Sequence, residues 1–543
     1  MLLLSGAVGA AVGIEEVGKG IYEKGIGTAG RVIQATVVGD VRISGTQLSC
    51  VECHQKSGLG WSEGGTVPPP LNSSALYSPR RRGMQLDKEE ADEGLRVAYR
   101  SASVDSAGRP AYNEESLARA IRDGIDSAGR SLDPMMPRYQ LDDSEMASVI
   151  EYLKTLSVVD APGVTDSTIH LATIVADGVD ATRKRAMLEI LEMQIKDRNA
   201  GTRGEILRAR HSPNFKRWEY ESYRQFELHV WQLSADPGQW RAQLEAHYER
   251  EPVFAMMSGI VEGEWSPIHE FCEDYELPCL FPNTALPAPA EGDFFSIYFN
   301  GGVSLEANAL AHLFRDPSHA VQEDSVIQVH RMDGAGIAAA RELTDALKGS
   351  LRLRSWEIEQ EQDFATGVDA QNFSESDLLV SWLEGDDLAL LAKQIASSAS
   401  PGRVIVSESM AGDQLDTVRE MLGDRLYVIR PRDLPEKEAL QFRRVGVWLR
   451  SRDIEVRHPH LQADTYLAVT LTASAITHLG KNFSRELLIE RLEHVTDTSV
   501  YTGFYPRLSL GPGQRYASKG CYLLRNTEGL EPSWEVVGDW IVP

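Results

Sequence analysis

The chain has 543 residues, with 55 Lys+Arg against 80 Asp+Glu, a formal net charge of −25. That balance argues against a general nucleic-acid binder and against a protein held electrostatically on anionic lipid. Hydrophobic residues at 42% and charged residues at 25% are the proportions of an ordinary folded protein, and about 150 residues per domain divides the length into two to four domains.

Met1 to Gly13 reads MLLLSGAVGAAVG, an apolar run followed by small residues such as Ala7-Val8-Gly9. This resembles the end of a signal peptide and predicts export. It is too short to span a bilayer, and no later stretch reaches about 18 consecutive apolar residues, so no integral membrane segment is expected. Residues 14–158 form a first domain, 159–167 a Pro/Gly-punctuated linker, and 168–543 a second domain. Up to Asp160 there are 17 Lys+Arg against 22 Asp+Glu, net −5; beyond it there are 38 against 58, net −20. The acidity is therefore concentrated in the second domain.

In the first domain, helical spacing predicts helices over Glu15–Ile26, Glu114–Arg122 and Asp142–Leu156, with Gly58–Pro79 as loop. The last helix carries Met146, Val149, Ile150, Leu153 and Leu156 on one stripe, with Asp142 or Asp143 as its N-cap. Five cysteines are too few for a disulfide scaffold, but Cys50-Val51-Glu52-Cys53-His54 is C-x-x-C-H, the signature of c-type haem attachment. The spacing follows from the chemistry. Two thiols one helical turn apart reach the two vinyl groups on one porphyrin edge, and the adjacent imidazole faces the iron. By chance the pattern arises in about one chain in a thousand of this composition. A thioredoxin-like C-x-x-C needs a preceding strand that Gly45–Ser49 does not supply. A structural zinc site needs four ligands, and the other cysteines (272, 279 and 521) lie in the second domain. A soft sixth ligand is available at Met135 or Met136, in the Pro-bracketed loop Asp133–Tyr139.

On Gly18-Lys19-Gly20-Ile21-Tyr22, the C-x-x-C-H motif, the Met136-Pro137-x-Tyr139 loop and the closing helix Glu145–Lys154, residues 15–157 resemble a class I c-type cytochrome. The resemblance implies an all-α domain holding one covalent haem c through Cys50, Cys53, His54 and Met136. It favours Met136 over Met135, because the family's distal methionine directly precedes Pro. It also implies a proline carbonyl that orients the proximal histidine, with Pro68, Pro69 and Pro70 all eligible.

In the second domain, apolar runs predict strands at Thr168–Ala176, Val253–Ser258, Cys279–Phe281, Ser325–His330, Leu378–Trp382 and Arg403–Ser407. Helical stretches fall between them at Thr182–Arg198, Pro237–Glu249, Gly336–Lys348 and Asp386–Ala396. Such alternation implies parallel sheets covered by helices. On Ile169–Ile174, Phe254–Gly259, Leu277–Thr284 and Gly511–Gly520, residues 168–543 resemble a type I periplasmic binding protein of the branched-chain amino-acid receptor kind, some of which accompany quinoprotein alcohol dehydrogenases. The resemblance implies a two-lobed α/β fold closing on a small molecule at strand carboxyl ends. Candidate ligand contacts there are Ser258, Gly259, Glu262, Asn283, Thr284, Tyr298 and Glu408. Gly259–Glu264 lacks the serines that hold a carboxylate in amino-acid receptors, and Glu262 or Glu264 would favour a cation or polyol.

Gly334-Ala335-Gly336-Ile337-Ala338-Ala339 matches a dinucleotide fingerprint but lacks a placed ribose-binding acid. Cys272 and Cys279 are read either as a disulfide or as two buried thiols, and Cys521 as a buried strand thiol. Taken together, the residues predict a periplasmic electron carrier joined to a solute receptor rather than an enzyme. Its expected partners are a small-molecule ligand, a redox protein and a membrane permease, and no nucleic acid. The alternatives are a haem-bearing subunit of a periplasmic oxidoreductase and a redox-responsive ligand sensor.

Overall fold

The computed structural model describes residues 13–60, 68–80, 108–156, 161–211, 224–315, 326–332, 334–348, 353–359, 368, 371, 373–397, 400–480, 482–511, 513–527 and 533–543. Apart from Gly13, the signal-like segment lies outside the described residues. The chain forms two compact units, Met1–Ala161 with Asn482–Glu490, and Pro162–Lys481 with Arg491–Pro543. Residues 159 and 160 of the expected linker lie outside the described residues. Val164 bridges Ile169, and His170 N–H donates to the Gly163 carbonyl, so residues 162–167 fold with the second unit.

In the first unit, the helix Ile14–Lys24 ends at Gly25 in the left-handed region, φ 64°. It crosses the helix Asp143–Thr155 at Gly18. A Cβ there would lie 2.1 Å from the Ser148 carbonyl oxygen, so only glycine permits this approach. The contact brings Tyr22 beside Tyr152, with the rings tilted and their centroids 5.4 Å apart. Asp142 caps the second helix in a reciprocal box with Glu145, an arrangement that contributes about 1 kcal/mol. Glu145 also accepts from Arg31 Nε at 2.9 Å. The core joins Ile21, Tyr22, Leu117, Ile121, Met146, Val149 and Leu153.

The all-α expectation is corrected here. Strands β1 (Gln34–Val37), β2 (Val41–Ser44) and β3 (Arg138–Gln140) form a small antiparallel sheet in the order β2-β1-β3. Gly39 (φ 78°) and Asp40 (φ 57°) make the hairpin turn, and three or four residues per strand are too few to show a period of two in the sequence. The expected loop Gly58–Pro79 also contains a helical turn, Ser73–Leu76. β3 places Tyr139 opposite Ala35 and so anchors the loop that carries Met136.

The second unit contains two sheets. The first runs β5-β4-β6-β7-β8, all parallel, from β4 (Thr168–Ala176), β5 (Gln225–Leu233), β6 (Ala255–Met257), β7 (Cys279–Leu280) and β8 (Ser296–Ile297). The second runs β10-β9-β11-β12-β13-β14-β15, from β9 (Val326–Arg331), β10 (Leu353–Ile358), β11 (Leu378–Trp382), β12 (Arg403–Ser407), β13 (Leu426–Arg430), β14 (Tyr522–Thr527) and β15 (Ser533–Val536). Only β14 and β15 join it antiparallel. The central strands are buried on both faces, which is why they read as unbroken apolar runs. The edge strand β5 mixes exposed Gln225, Glu227 and Gln232 with buried Phe226, Trp231 and Leu233, so a search for apolar runs passes over it.

Each sheet with its helices makes one lobe. The chain returns from the second lobe through the helices Pro435–Arg450 and Pro459–Thr477. The latter packs on Ala181–His211, where Gln194 Nε2 donates to the Tyr466 carbonyl at 3.0 Å. The dinucleotide-like glycines have a packing explanation, since a Cβ on Gly336 would meet the Trp382 carbonyl oxygen at 2.6 Å. Cys272 and Cys279 are separate buried thiols, not a disulfide. Cys521 is fully buried in the second lobe, bridging Ile541.

Candidate functional site

In the first unit, Cys50 caps the short helix Val51–His54, and the N–H groups of Cys53 and His54 donate to the Cys50 carbonyl at 3.3 and 2.9 Å. Both cysteines therefore lie on one helical turn, and neither is disulfide-bonded. His54 is buried, with Nδ1 3.1 Å from the carbonyl oxygen of Pro69. That contact selects Pro69 from the three eligible prolines. It fixes the proton on Nδ1, so Nε2 presents a lone pair. Burial pushes the imidazole down to about 4, which keeps it neutral at pH 7. The turn after it is held by Gly60 N–H donating to the His54 carbonyl at 3.0 Å and by Tyr22 OH donating to the Gln55 carbonyl at 2.6 Å.

The methionine loop is a tight turn in which Met136 N–H donates to the Asp133 carbonyl at 3.1 Å. Met136 is half-buried, whereas Met135 is 64% exposed. Arg138, not singled out in the sequence, staples this loop by donating to the carbonyls of Met136 and Leu132. Tyr139 OH donates to the Leu48 carbonyl at 3.0 Å and so ties the loop to the segment before Cys50. The donor chemistry fits a covalently attached haem: two thiols on one turn, a buried neutral imidazole oriented from behind, and a half-buried thioether on a braced loop.

In the second unit, the carboxyl ends of β4, β6 and β7 meet where Ile260 bridges both Val175 and Asn283. Ser258 (φ 56°) and Gly259 (φ 107°) turn the chain, and Asn283 Nδ2 donates to Ser258 Oγ at 2.7 Å and to the Gly259 carbonyl at 3.2 Å. Thr465, on the returning helix, brings its Oγ1 to 3.4 Å from Ser258 Oγ. Ser258, Gly259 and Asn283 therefore lie together. Thr284 instead turns its hydroxyl to the Leu286 N–H at 3.0 Å. Glu262 is largely exposed, 3.6 Å from Arg183.

Two other expected contacts are committed elsewhere. Tyr298 OH lies 2.8 Å from Nδ1 of buried His269, whose Nε2 is 2.8 Å from Asp293. Glu408 is buried against Arg430 and lies 3.6 Å from Arg432. Arg430 also pairs with Glu438 and donates to the Asp433 carbonyl, while Arg432 reaches Asp464 at 3.4 Å. Burial works against the charge on Arg432, yet Asp464 and Glu408 hold its pKa above the ordinary value. The run Arg430-Pro431-Arg432-Asp433, dense in charge directly after an apolar strand, was the sequence signal for this network.

Glu306 is fully buried beneath Ser407 and Ser409, whose side chains both donate to it. Burial pushes its carboxyl up to about 7 against those hydrogen bonds. An unfolded glutamate titrates near 4.3, so the folded state holds the proton more tightly. Stability therefore falls as pH rises from about 4.5 to about 7, then levels off, a loss on the order of 3 kcal/mol. Glu306→Gln is expected to remove that loss. Denaturant unfolding at pH 5 and pH 8 should show the variant gaining on the wild type at pH 8; a gap independent of pH would refute the assignment.

No protein-family model matches the chain, and no curated protein matches it. Solved structures do. A fatty-acid ABC transporter substrate-binding protein from Thermomonospora curvata aligns at TM-score 0.50 and 16% identity, over 71% of this chain and 95% of that one. The second unit has the two-lobed fold of a type I periplasmic binding protein. ABC transporter substrate-binding proteins from Sphaerobacter thermophilus and Aeropyrum pernix each align at TM-score 0.51 and 13% identity, over 69% of this chain and 98% and 96% of theirs. In this periplasmic-binding-protein fold, Ser258, Gly259 and Asn283 stand at the strand ends of the first lobe, and Glu408 and Arg430 at those of the second. Among the described residues, no helix is long and apolar enough to cross a membrane.

Proposed function

We propose that the chain is an exported, periplasmic protein that joins a mono-haem c electron carrier to a small-molecule receptor. The observation that carries the haem reading is the buried imidazole of His54, oriented by the Pro69 carbonyl directly after two cysteines on one helical turn. Cys50 and Cys53 would hold the group through thioethers, and His54 Nε2 and Met136 Sδ would be the axial ligands. When bound, haem supplies a one-electron redox centre, with Met/His ligation raising its potential. The chain's own part is to keep His54 neutral and oriented, and to brace the Met136 loop through Arg138 and Tyr139.

The receptor reading is supported by the fold and by the polar cluster of Ser258, Gly259 and Asn283 at the strand ends. Proteins of like fold are named as substrate-binding components of ABC transporters, one of them for fatty acids, which favours delivery of a small molecule to a membrane permease.

A redox titration of the full chain, followed by visible absorption, tests the axial assignment. Met136→Ala is expected to lower the midpoint potential, and Met135→Ala to leave it unchanged. The reverse pattern would transfer the role to Met135, and an absent haem spectrum after c-type maturation would remove the reading altogether.

A further inference from the structure

We propose that the first lobe of the binding-protein unit carries a divalent transition-metal site, of the kind that takes Zn(II), formed by His170, His229 and Glu227. These residues lie on the neighbouring strands β4 and β5, whose parallel register sets His170 opposite Glu227 and Ala172 opposite His229. The alternation of β5 puts Glu227 and His229 on one face, and the register brings His170 to the same side. His170 Nδ1 is 2.9 Å from His229 Nε2 and 3.8 Å from Glu227 Oε2. One ligand atom from each residue lies within 4.8 Å of the others. Ligands on a tetrahedral zinc at 2.0–2.1 Å stand roughly 3.3 Å apart, so small side-chain rotations complete three corners.

The contacts around the pair also suit a metal. Glu251 Oε2 lies 3.2 Å from His229 Nδ1. A proton held there by the carboxylate leaves the Nε2 lone pair facing His170. This is the carboxylate–histidine arrangement that orients metal ligands from behind. A hydrogen bond between the two imidazoles also accounts for the 2.9 Å contact, and Glu251 has a second partner in Arg250 Nε at 3.5 Å, but neither gives a role to Glu227, whose carboxylate stands 3.8 Å from His170 Nδ1. A dication does, since it would take the two imidazole nitrogens and the Glu227 carboxylate together.

The pair is partly buried, with side-chain exposures of 25% for His170 and 15% for His229, while Glu227 at 57% keeps the site open to solvent. Two imidazoles and one carboxylate with an open position are a ligand set for zinc or copper rather than for calcium or magnesium. His170 sits near the start of β4, away from the carboxyl end where Ser258 and Asn283 gather, so the site is distinct from the receptor cluster. The second His/carboxylate group, His269 with Glu273 and Asp293, carries no such proposal. Both His269 nitrogens are engaged by Tyr298 and Asp293, and Glu273 accepts from the N–H groups of Phe294, Phe295 and Ser296.

Isothermal titration of the metal-stripped full chain with Zn(II) tests the proposal. The measurement is repeated in a Cys50→Ala/Cys53→Ala background to remove thiolate binding at the haem motif. The wild-type chain is expected to take up one more equivalent than His170→Gln/His229→Gln in both backgrounds. Glu251→Gln, which touches no metal, is expected to weaken that equivalent by about 10–100-fold. Far-UV circular dichroism and denaturant unfolding in chelator show that each variant is folded. Equal stoichiometry and affinity in the folded double variant and the wild type would overturn the site, as would a Glu251→Gln affinity unchanged from wild type.

Discussion

Cys50→Ala/Cys53→Ala is expected to leave c-type maturation with no covalently attached haem, and either single variant to retain at most one thioether. The measurement is mass spectrometry of the denatured full chain, with haem staining on a denaturing gel as the second readout. In the double variant the effect should be complete rather than graded, because each thioether needs its own sulfur on the turn that Cys50 caps, where Cys53 and His54 donate to the Cys50 carbonyl. The scaffold should survive the change. Cys53 is exposed, and Cys50 is half-buried and only packs against the edge of a core built from Ile21, Tyr22, Leu117, Met146 and Leu153. A double variant that still carried covalent haem would remove the motif from the mechanism.

Arg430→Ala is expected to destabilise the binding-protein unit by about 3–5 kcal/mol, read from the shift in the denaturant midpoint at constant slope. Arg430 is 5% exposed, and its guanidinium serves Glu408, Glu438 and the Asp433 carbonyl at once. Removing it strands buried Glu408 and partly buried Glu438, whose other partners, Arg432 for Glu408 and His460 for Glu438, are separately placed. Most of the expected cost is the desolvation of those acids rather than the lost attraction. The account therefore predicts compensation: Arg430→Met combined with Glu408→Gln and Glu438→Gln should recover much of the loss. Recovery confined to the methionine change alone would mean that volume, not charge, is what Arg430 supplies.

Legibility in the sequence followed sequence distance. Thr168–Ala176, Leu378–Trp382 and Arg403–Ser407 fall where the apolar runs placed them, because a strand buried on both faces announces itself within five to nine residues. The Asp142 cap was equally readable, being a contact across three residues. β5 was not, since polar Gln225, Glu227, His229 and Gln232 interrupt its apolar residues. β13 carries an apolar run, Leu426–Ile429, yet lay outside the expected strands. The little sheet of β1, β2 and β3 required Arg138–Gln140 to meet Gln34–Thr36, a pairing no local pattern encodes.

The same division runs through the sites. The sequence alone determined that this chain carries a C-x-x-C-H motif, because both thiols and the imidazole lie within one turn and the chemistry is written in the spacing. It also determined an alternating strand and helix order that demands parallel sheets. Only the tertiary structure decided which proline carbonyl meets His54, which of two adjacent methionines is the less exposed, that Glu408 is locked to Arg430, and that His170 meets His229. The physical reason is common to all four. Hydrogen bonds and ion pairs act over about 3 Å in space, and the chain brings their partners together only after its sheets have closed.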